Sequence, residues 1–357
     1  DLIVSRGLGD VYKRQICMSK VLLITDQHFG VRNDNQYYLE RYRLFYENIV
    51  LPYIDEHGIT EIINLGDTFD RRKYVNFNSL DYTHDMWFKP VADRGIRMTC
   101  LVGNHDIYYK NTLKVSSPEL LLTQYQNINV VSTPTEMTIG GKKMMLVPWI
   151  CDENRDETLD MITKSKAQYC MGHLELNGFS PVPGYTMEHG DNPDVFKKFK
   201  LTCSGHYHMR SRRDRIVYLG NPYQLYWNDY GHERGFHILN TTDATLEFVK
   251  NPYNTFSKLF YKDGVGITDE EIENVKGTYV KLVVEDKSDQ LAFDQTVRRL
   301  HKADLADLKI IEDMSYDLDE DIDVEVEDTL TILESCVSEF DNGHEIFGIL
   351  KSLYLEA

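Results

Sequence analysis

At 357 residues the chain is long enough for two or three domains of roughly 100 to 200 residues each. With 42% hydrophobic and 27% charged residues it has the composition of a folded globular protein, which excludes wholesale disorder and fibrous repeats. The net charge of −18 gathers at one end: from Asp263 onward stand 26 acids and 8 bases, which leaves residues 1–262 neutral, so a polyanionic partner for the body is not excluded.

Residues 1–17 lack both the apolar core of a signal peptide and the pattern of a transit peptide, and are expected to be a non-native or disordered leader ahead of Met18. VLLIT, from Val21, predicts a first strand. Leu39, Tyr42, Tyr46, Ile49 and Tyr53 predict a helix over 36–57 that stops at Gly58. EIINL predicts a second strand, Ser79 to Ala92 a helix, and RMTCLV a third strand. After Asn127 the text turns to β, with INVV, EMTI and KKMMLVPWI, the last two joined by a Gly140-Gly141 hairpin turn. Further strands are expected at 168–171, 201–203, 216–219, 236–239 and 246–249. This alternation fits an α/β layered domain over 18–251.

Strand, helix and strand patterns at 278–284, 289–301 and 308–311 predict a small second domain over 252–316. DLDEDIDVEVED, residues 317–328, is too charged to pack and is expected to be a linker. Apolar periodicity returns at Leu330, Leu333, Val337, Phe340, Ile346, Leu350 and Leu353, which suggests that 329–357 form helices docking on another chain. No apolar run nears the ~18 residues of a membrane span. The six cysteines stand singly with no C-x-x-C pair, which fits a reducing cytoplasm.

Five short motifs follow expected strands: ITDQHF (Asp26, His28), LGDTFD (Asp67, Asp70), VGNHD (Asn104, His105, Asp106), MGHLE (His173) and SGHYH (His206, His208). Strand ends of α/β sheets are where ligand-binding loops converge. Two carboxylates, an amide and four histidines, without a thiolate, suit manganese, iron or zinc in a two-metal site rather than calcium. Glycines 66, 103, 172 and 205 each precede a motif residue, where a small residue lets the backbone turn sharply. Any one such motif is common and ordinarily marks a turn or a hydrogen-bonded core histidine. All five in this order are hard to explain as independent structural residues.

This order and context resemble the calcineurin-like metallophosphoesterases, over roughly Lys20 to Asn251. The GHLE and GHYH contexts and the later LGNPYQLYWNDYGHERGF are similar to the nuclease subunits of SbcCD-type double-strand-break repair complexes, and the length and acidic tail to their T-even phage branch. The resemblance implies a four-layer fold, two sheets flanked by helices, followed by a small α+β DNA-capping domain and a C-terminal helical segment that binds an SMC-like ATPase. It implies two divalent ions, manganese first and magnesium as an alternative, activating a water for attack on a DNA phosphodiester. Asp26, His28, Asp67 and His208 would hold one ion and Asp67, Asn104, His173 and His206 the other, with Asp67 bridging. His105 would stand at the scissile phosphate, stabilising the transition state or protonating the leaving oxygen, with Asp106 orienting its ring. Asp70 departs from the histidine that several members carry, and is expected to bond a nearby backbone or a histidine standing behind the metal ligands instead.

DNA contacts are expected from Arg71, Arg72 and Lys73 after the second motif and from Arg210, Arg212, Arg213 and Arg215 after the fifth, though each cluster alone reads as a solvated charge patch. The chain holds no G-x-x-x-x-G-K-[ST], so ATP chemistry is assigned to the partner. The resemblance further implies a homodimer within a heterotetramer, paired through helices near Leu39 to Tyr53 and Ser79 to Ala92. The rival functions are a phosphatase acting on phosphomonoesters and a catalytically inert scaffold for DNA ends or the ATPase.

Overall fold

The computed structural model describes residues 19–181, 186–312, 346, 347, 349 and 350. The expected leader 1–17 and linker 317–328 lie outside the described residues, as does the segment 329–357 apart from its last four described positions, which are helical. No described helix is long and apolar enough to cross a membrane. The described cysteines, Cys100, Cys151, Cys170 and Cys203, are buried free thiols.

β1 (Lys20–Ile24), β2 (Glu61–Asn64), β3 (Arg97–Leu101), β4 (Ile128–Val131), β11 (Gly235–Asn240) and β12 (Thr245–Lys250) form one sheet in the order β12-β11-β1-β2-β3-β4. β5 (Thr135–Ile139), β6 (Lys142–Val147), β7 (Tyr169–His173), β8 (Leu201–Gly205), β9 (Ser211–Arg213) and β10 (Ile216–Tyr218) form a second, in the order β5-β6-β7-β8-β10-β9. The neighbours from β1 to β4 and from β6 through β8 to β10 are parallel, so their C-terminal ends share one rim. Between the sheets pack Val21, Leu23, Ile63 and Leu101 from the first and Leu146, Met171 and Cys203 from the second, all fully buried. Leu22 and Ile24 alternate to the opposite face and are equally buried, which is why β1 reads as one apolar run. Each such side chain stabilises the fold by about 1.5 to 3 kcal/mol.

Two helical runs follow β1 and β2, near the expected bounds. The first passes from Gln36–Phe45 through a π-turn at Tyr46–Val50 to Leu51–His57, and the second from Phe77–Thr83 through His84–Phe88 to Lys89–Asp93. Both begin under an asparagine cap: Asn35 accepts from the amide of Tyr37 at 2.9 Å, and Asn76 from that of Asn78 at 2.8 Å. Each π-turn precedes a proline, Pro52 or Pro90, which has no amide hydrogen and crowds the carbonyl four residues back. The widened turn absorbs that conflict without ending the helix. The two runs meet through Tyr46 and Trp87, whose ring centroids are 4.7 Å apart.

The outer face of the second sheet is closed by a helix over Arg155–Lys164, with Ile162 packing among Met145, Cys170, Phe196 and Phe199. That helix was not expected from the sequence, because RDETLDMITK spreads few apolar residues among many charges. With it the layers run helix, sheet, sheet, helix, as the resemblance implied.

The described chain separates into two compact units near residue 255, with Tyr109–Asn111 and Tyr226–Tyr230 grouped with the second. The second unit holds a parallel sheet ordered β13-β14-β15, built from β13 (Phe256–Tyr261), β14 (Tyr279–Val284) and β15 (Asp307–Ile311). Leu259, Tyr261, Val280 and Leu282 pack with Phe293 and Leu300 of the helix Gln290–Lys302 and with Ile272 of the helix Asp269–Asn274. A reciprocal cap starts the shorter helix: Thr268 accepts from the Glu271 amide at 3.1 Å, and Glu271 accepts from the Thr268 amide at 2.8 Å. β13 and the shorter helix were missed in the sequence, where polar residues interrupt FSKLFY and DEEIEN.

Candidate metal centre

Five strand ends deliver the motif residues to the shared rim. Asp26 and His28 leave β1, Asp67 and Asp70 leave β2, Asn104 to Asp106 leave β3, His173 ends β7, and His206 and His208 follow β8. The loops after β1 and β2 stay in step through amides donating to carbonyls: Asp26 to Gly66 at 3.0 Å, His28 to Asp67 at 3.1 Å, Phe29 to Thr68 at 3.0 Å and Asp70 to Phe29 at 3.1 Å. Across the sandwich the His206 amide donates to Asp26 Oδ1 at 3.0 Å.

The site is compressed, and the glycines explain how. Only Gly66, at φ +109, of the four motif glycines needs a backbone closed to other residues. The others are set by close approach: a Cβ on Gly103 would stand 2.2 Å from Asp67 Oδ1, and one on Gly205 would stand 2.0 Å from Thr25 Oγ1. The sharp turns fall instead on the motifs' polar residues, since Asp26, His28, Asp67 and His206 have φ of 50, 43, 51 and 88°. Such conformations cost of order 1 to 3 kcal/mol each and persist where surrounding structure dictates them.

Two polar clusters result. In one, His28 Nε2 lies 3.0 Å from His208 Nε2, with Asp26 Oδ1 3.9 Å from His208 Nε2 and Asp67 Oδ2 3.8 Å from His28 Nε2. In the other, Asn104 Oδ1 lies 2.8 Å from His173 Nε2 and 3.0 Å from His206 Nδ1, with Asp67 Oδ2 3.2 Å from His173 Nε2. Asp67 Oδ2 therefore belongs to both. His173 Nδ1 donates to the Leu65 carbonyl at 2.8 Å, which fixes that tautomer and turns Nε2 into the cluster. Asp26, His28 and His208, and separately Asp67, His173 and His206, bring potential ligand atoms within 4.8 Å of one another.

The electrostatics are those of anions in need of cations. Burial pushes the Asp26 carboxyl up. Burial also opposes ionisation of Asp67, yet His173, His105 and His28 beside it hold its carboxyl well below the usual range. Burial disfavours charge on His28 and His173 too, but the surrounding aspartates outweigh it and raise the imidazoles to about 10 and about 9. His208 is held well below its ordinary value by burial, then by His28 and Arg234. His28 Nε2 and His208 Nε2, 3.0 Å apart, face each other at a point where both nitrogens could turn lone pairs on a cation. The donor set thus fits divalent ions.

His105 and Asp106 behave differently from expectation. The His105 ring takes its Nδ1 partner from the Asp70 carbonyl at 2.8 Å, not from Asp106. The Asp106 carboxylate accepts instead from the amides of Thr68 at 3.0 Å, Phe69 at 3.2 Å and Gly103 at 2.9 Å. It pins the loops after β2 and β3 together, and burial with the nearby Asp67 charge raises it to about 7. Asn104 to Asp106 form a bend in which the acid turns to the backbone amides and away from the histidine before it, which the sequence reading overlooked. The Asp70 carboxylate lies near a histidine of a different kind from the one expected, 3.4 Å from Nδ1 of His28, itself one of the expected metal ligands.

Of the basic residues, Arg71 is engaged by Asp34, Asn33 and Tyr74. Lys73 is exposed, 5.9 Å from the centre of the Tyr108 ring. Arg210 stacks its guanidinium 3.5 Å over Phe248, and Arg212, Arg213 and Arg215 are exposed on and beside β9. Arg72 is half-buried. Two further residues that the sequence reading did not single out border the clusters. Trp149 sets its ring 5.0 Å from that of His206, and buried Arg234 donates to the His208 carbonyl.

A two-sheet sandwich with aspartates, histidines and an asparagine gathered at one rim is the architecture of a metallophosphoesterase. The calcineurin-like phosphoesterase family model matches residues 19–210, and the chain belongs to that family. It is 30% identical over 346 residues to the exonuclease subunit 1 of Enterobacteria phage T4, a match covering 95% of this chain and 99% of that protein. Among solved structures, similarity extends to an archaeal phosphodiesterase, at 11% identity and a TM-score of 0.34 over 65% of this chain and 99% of that one. The calcineurin-like phosphoesterase YfkN from Bacillus subtilis is similar at 12% identity and a TM-score of 0.33, over 79% of this chain and 98% of that one. At such TM-scores the two structures add nothing to the assignment.

Proposed function

We propose that the chain is a DNA nuclease subunit that hydrolyses phosphodiesters with two divalent cations, manganese foremost, and works with a separate SMC-like ATPase in an SbcCD-like recombination and repair assembly. The observation that carries the metal part is Asp67 Oδ2, 3.8 Å from His28 Nε2 and 3.2 Å from His173 Nε2. Two dications a few ångströms apart repel and call for a shared anion. Asp26, His28, Asp67 and His208 would hold one, and Asp67, Asn104, His173 and His206 the other. Bound there, the pair would neutralise phosphoryl charge and lower the pKa of an attacking water. The DNA and partner parts are supported by the phage relative, which is named an exonuclease and a subunit.

The remaining steps belong to the chain's own side chains. His105, with Nδ1 tied to the Asp70 carbonyl and its amide to Asp67 Oδ1 at 2.8 Å, keeps Nε2 for the leaving oxygen. Arg210, Arg212, Arg213, Lys73 and Arg72 would meet phosphates along the strand, whereas Arg71 supports the loop after β2.

The test is cleavage of end-labelled duplex and single-stranded DNA by the purified chain, with manganese or magnesium, beside an aryl phosphomonoester. Manganese-dependent DNA cleavage that His105→Ala abolishes is the expected result. Monoester turnover without DNA cleavage would move the chain to the phosphatases. No turnover of either substrate, with the ATPase partner supplied, would make it a scaffold.

A further inference from the structure

Asp70 faces two site histidines with two different groups. Its Oδ1 stands 3.4 Å from His28 Nδ1, a buried ring nitrogen with no hydrogen-bond partner among the described residues. Its backbone carbonyl lies 2.8 Å from His105 Nδ1. The peptide that carries both is itself fixed: the Asp70 amide donates to the Phe29 carbonyl at 3.1 Å, and Phe69 beside it is fully buried and bridged to Phe29. The two rings meet edge to face, with centroids 4.7 Å apart.

A ring nitrogen facing an oxygen carries the proton, so the opposite nitrogen presents its lone pair. We infer that Asp70 is a positioning residue that sets both rings at once, its carboxylate aiming His28 Nε2 at the first cation and its carbonyl aiming His105 Nε2 at the phosphate. The inference rests on the two-cation reading above and adds a division of labour to it. The carbonyl survives every side-chain substitution, whereas the carboxylate does not. Changing the Asp70 side chain therefore acts on one cation position and spares the other, because His173 takes its own orientation from the Leu65 carbonyl and never from Asp70.

The experiment is manganese titration of the full chain, free ion being counted by electron paramagnetic resonance, for wild type, Asp70→Ala, Asp70→Asn, His28→Ala and the Asp70→Ala/His28→Ala double variant. Wild type should bind two ions. Removing an acceptor behind a metal-holding histidine typically weakens the ion about ten- to hundredfold, so Asp70→Ala should weaken one ion by that factor and leave the other unchanged. Asp70→Asn keeps an acceptor and should recover part of the loss. The double variant should bind no worse than His28→Ala, since the carboxylate acts only through that ring. Wild-type affinity at both positions in Asp70→Ala would overturn the inference, as would equal weakening of both ions. A wild type that binds no manganese would instead overturn the two-cation reading beneath it.

Discussion

Gly103→Ala offers a sharp test of the site's construction, because the intruding methyl would meet backbone. Its Cβ would lie 2.2 Å from Asp67 Oδ1, 2.9 Å from Asp67 Cγ and 2.4 Å from the Asp67 amide nitrogen. Non-bonded heavy atoms settle at about 3.5 to 4.0 Å, so Asp67 must retreat by about 1 Å. Overpacking of this kind costs about 1 to 3 kcal/mol, against the 5 to 15 kcal/mol that hold a typical domain together, so the variant should fold. Function should suffer more, because a misplacement of ~1 Å near reacting groups can cost ~100-fold in rate. Asp67 touches both clusters and accepts from the His105 amide, so one displacement disturbs all three. Gly172→Ala is the matched control: the three atoms nearest its Cβ all belong to the Leu174 side chain, from 2.7 Å, and none to backbone or to Asp67. Manganese binding, DNA cleavage and thermal melting of both variants decide the matter. A Gly103→Ala protein that melts a few degrees low and loses about 100-fold in cleavage, beside a Gly172→Ala protein within about tenfold of wild type, is expected. Wild-type cleavage by Gly103→Ala, or a larger loss in Gly172→Ala, would refute the reasoning.

Two predictions concern stability. His237, on β11, is 5% exposed, its Nδ1 has no hydrogen-bond partner among the described residues, and burial followed by the Arg210 charge lowers it from 6.5 to about 3. The unfolded chain takes up a proton below pH 6.5 that the folded chain refuses until about pH 3. Stability is therefore full above pH 6.5 and falls as pH drops, by about 1.4 kcal/mol per unit. Urea unfolding at pH 7.5 and 5.0 should show a smaller decline in His237→Leu than in wild type, and an identical decline would count against this account. Asp106→Ala leaves the buried amides of Thr68, Phe69 and Gly103 without their acceptor, at about 1 to 3 kcal/mol each. It should melt well below wild type, with Asp106→Asn between the two, whereas a wild-type melting temperature would show that another group satisfies those amides.

The sandwich was legible because parallel strands covered on both faces are continuous apolar runs, and VLLIT, EIINL and RMTCLV have no other use in a chain of this composition. The site was legible because metal-holding chemistry needs few residue types and the strand ends order them. Harder to see was anything decided by what one loop presents to another. The text GNHD cannot say that Asp106 serves three backbone amides while the Asp70 carbonyl holds His105. Nor could the spacing foretell that Gly103 and Gly205 are small because a neighbouring loop presses on them rather than because the chain turns there. The helix Arg155–Lys164 escaped notice because Ile162 is its one fully buried apolar residue, with Phe196 and Phe199 completing the layer.

Because Asp26, His28, Asp67 and Asn104 come from one sheet and His173, His206 and His208 from the other, neither half of the sandwich owns the reaction centre. Apolar side chains between sheets tolerate small slips, since one methyl replaces another at little cost. The polar rim does not, for a shift that leaves the interior dry would still part His28 from His208 and the His206 amide from Asp26. Phosphoester hydrolysis would thereby report on the alignment of the two sheets more finely than melting can, and a misassembled copy of this chain would be inactive while passing every test of compactness.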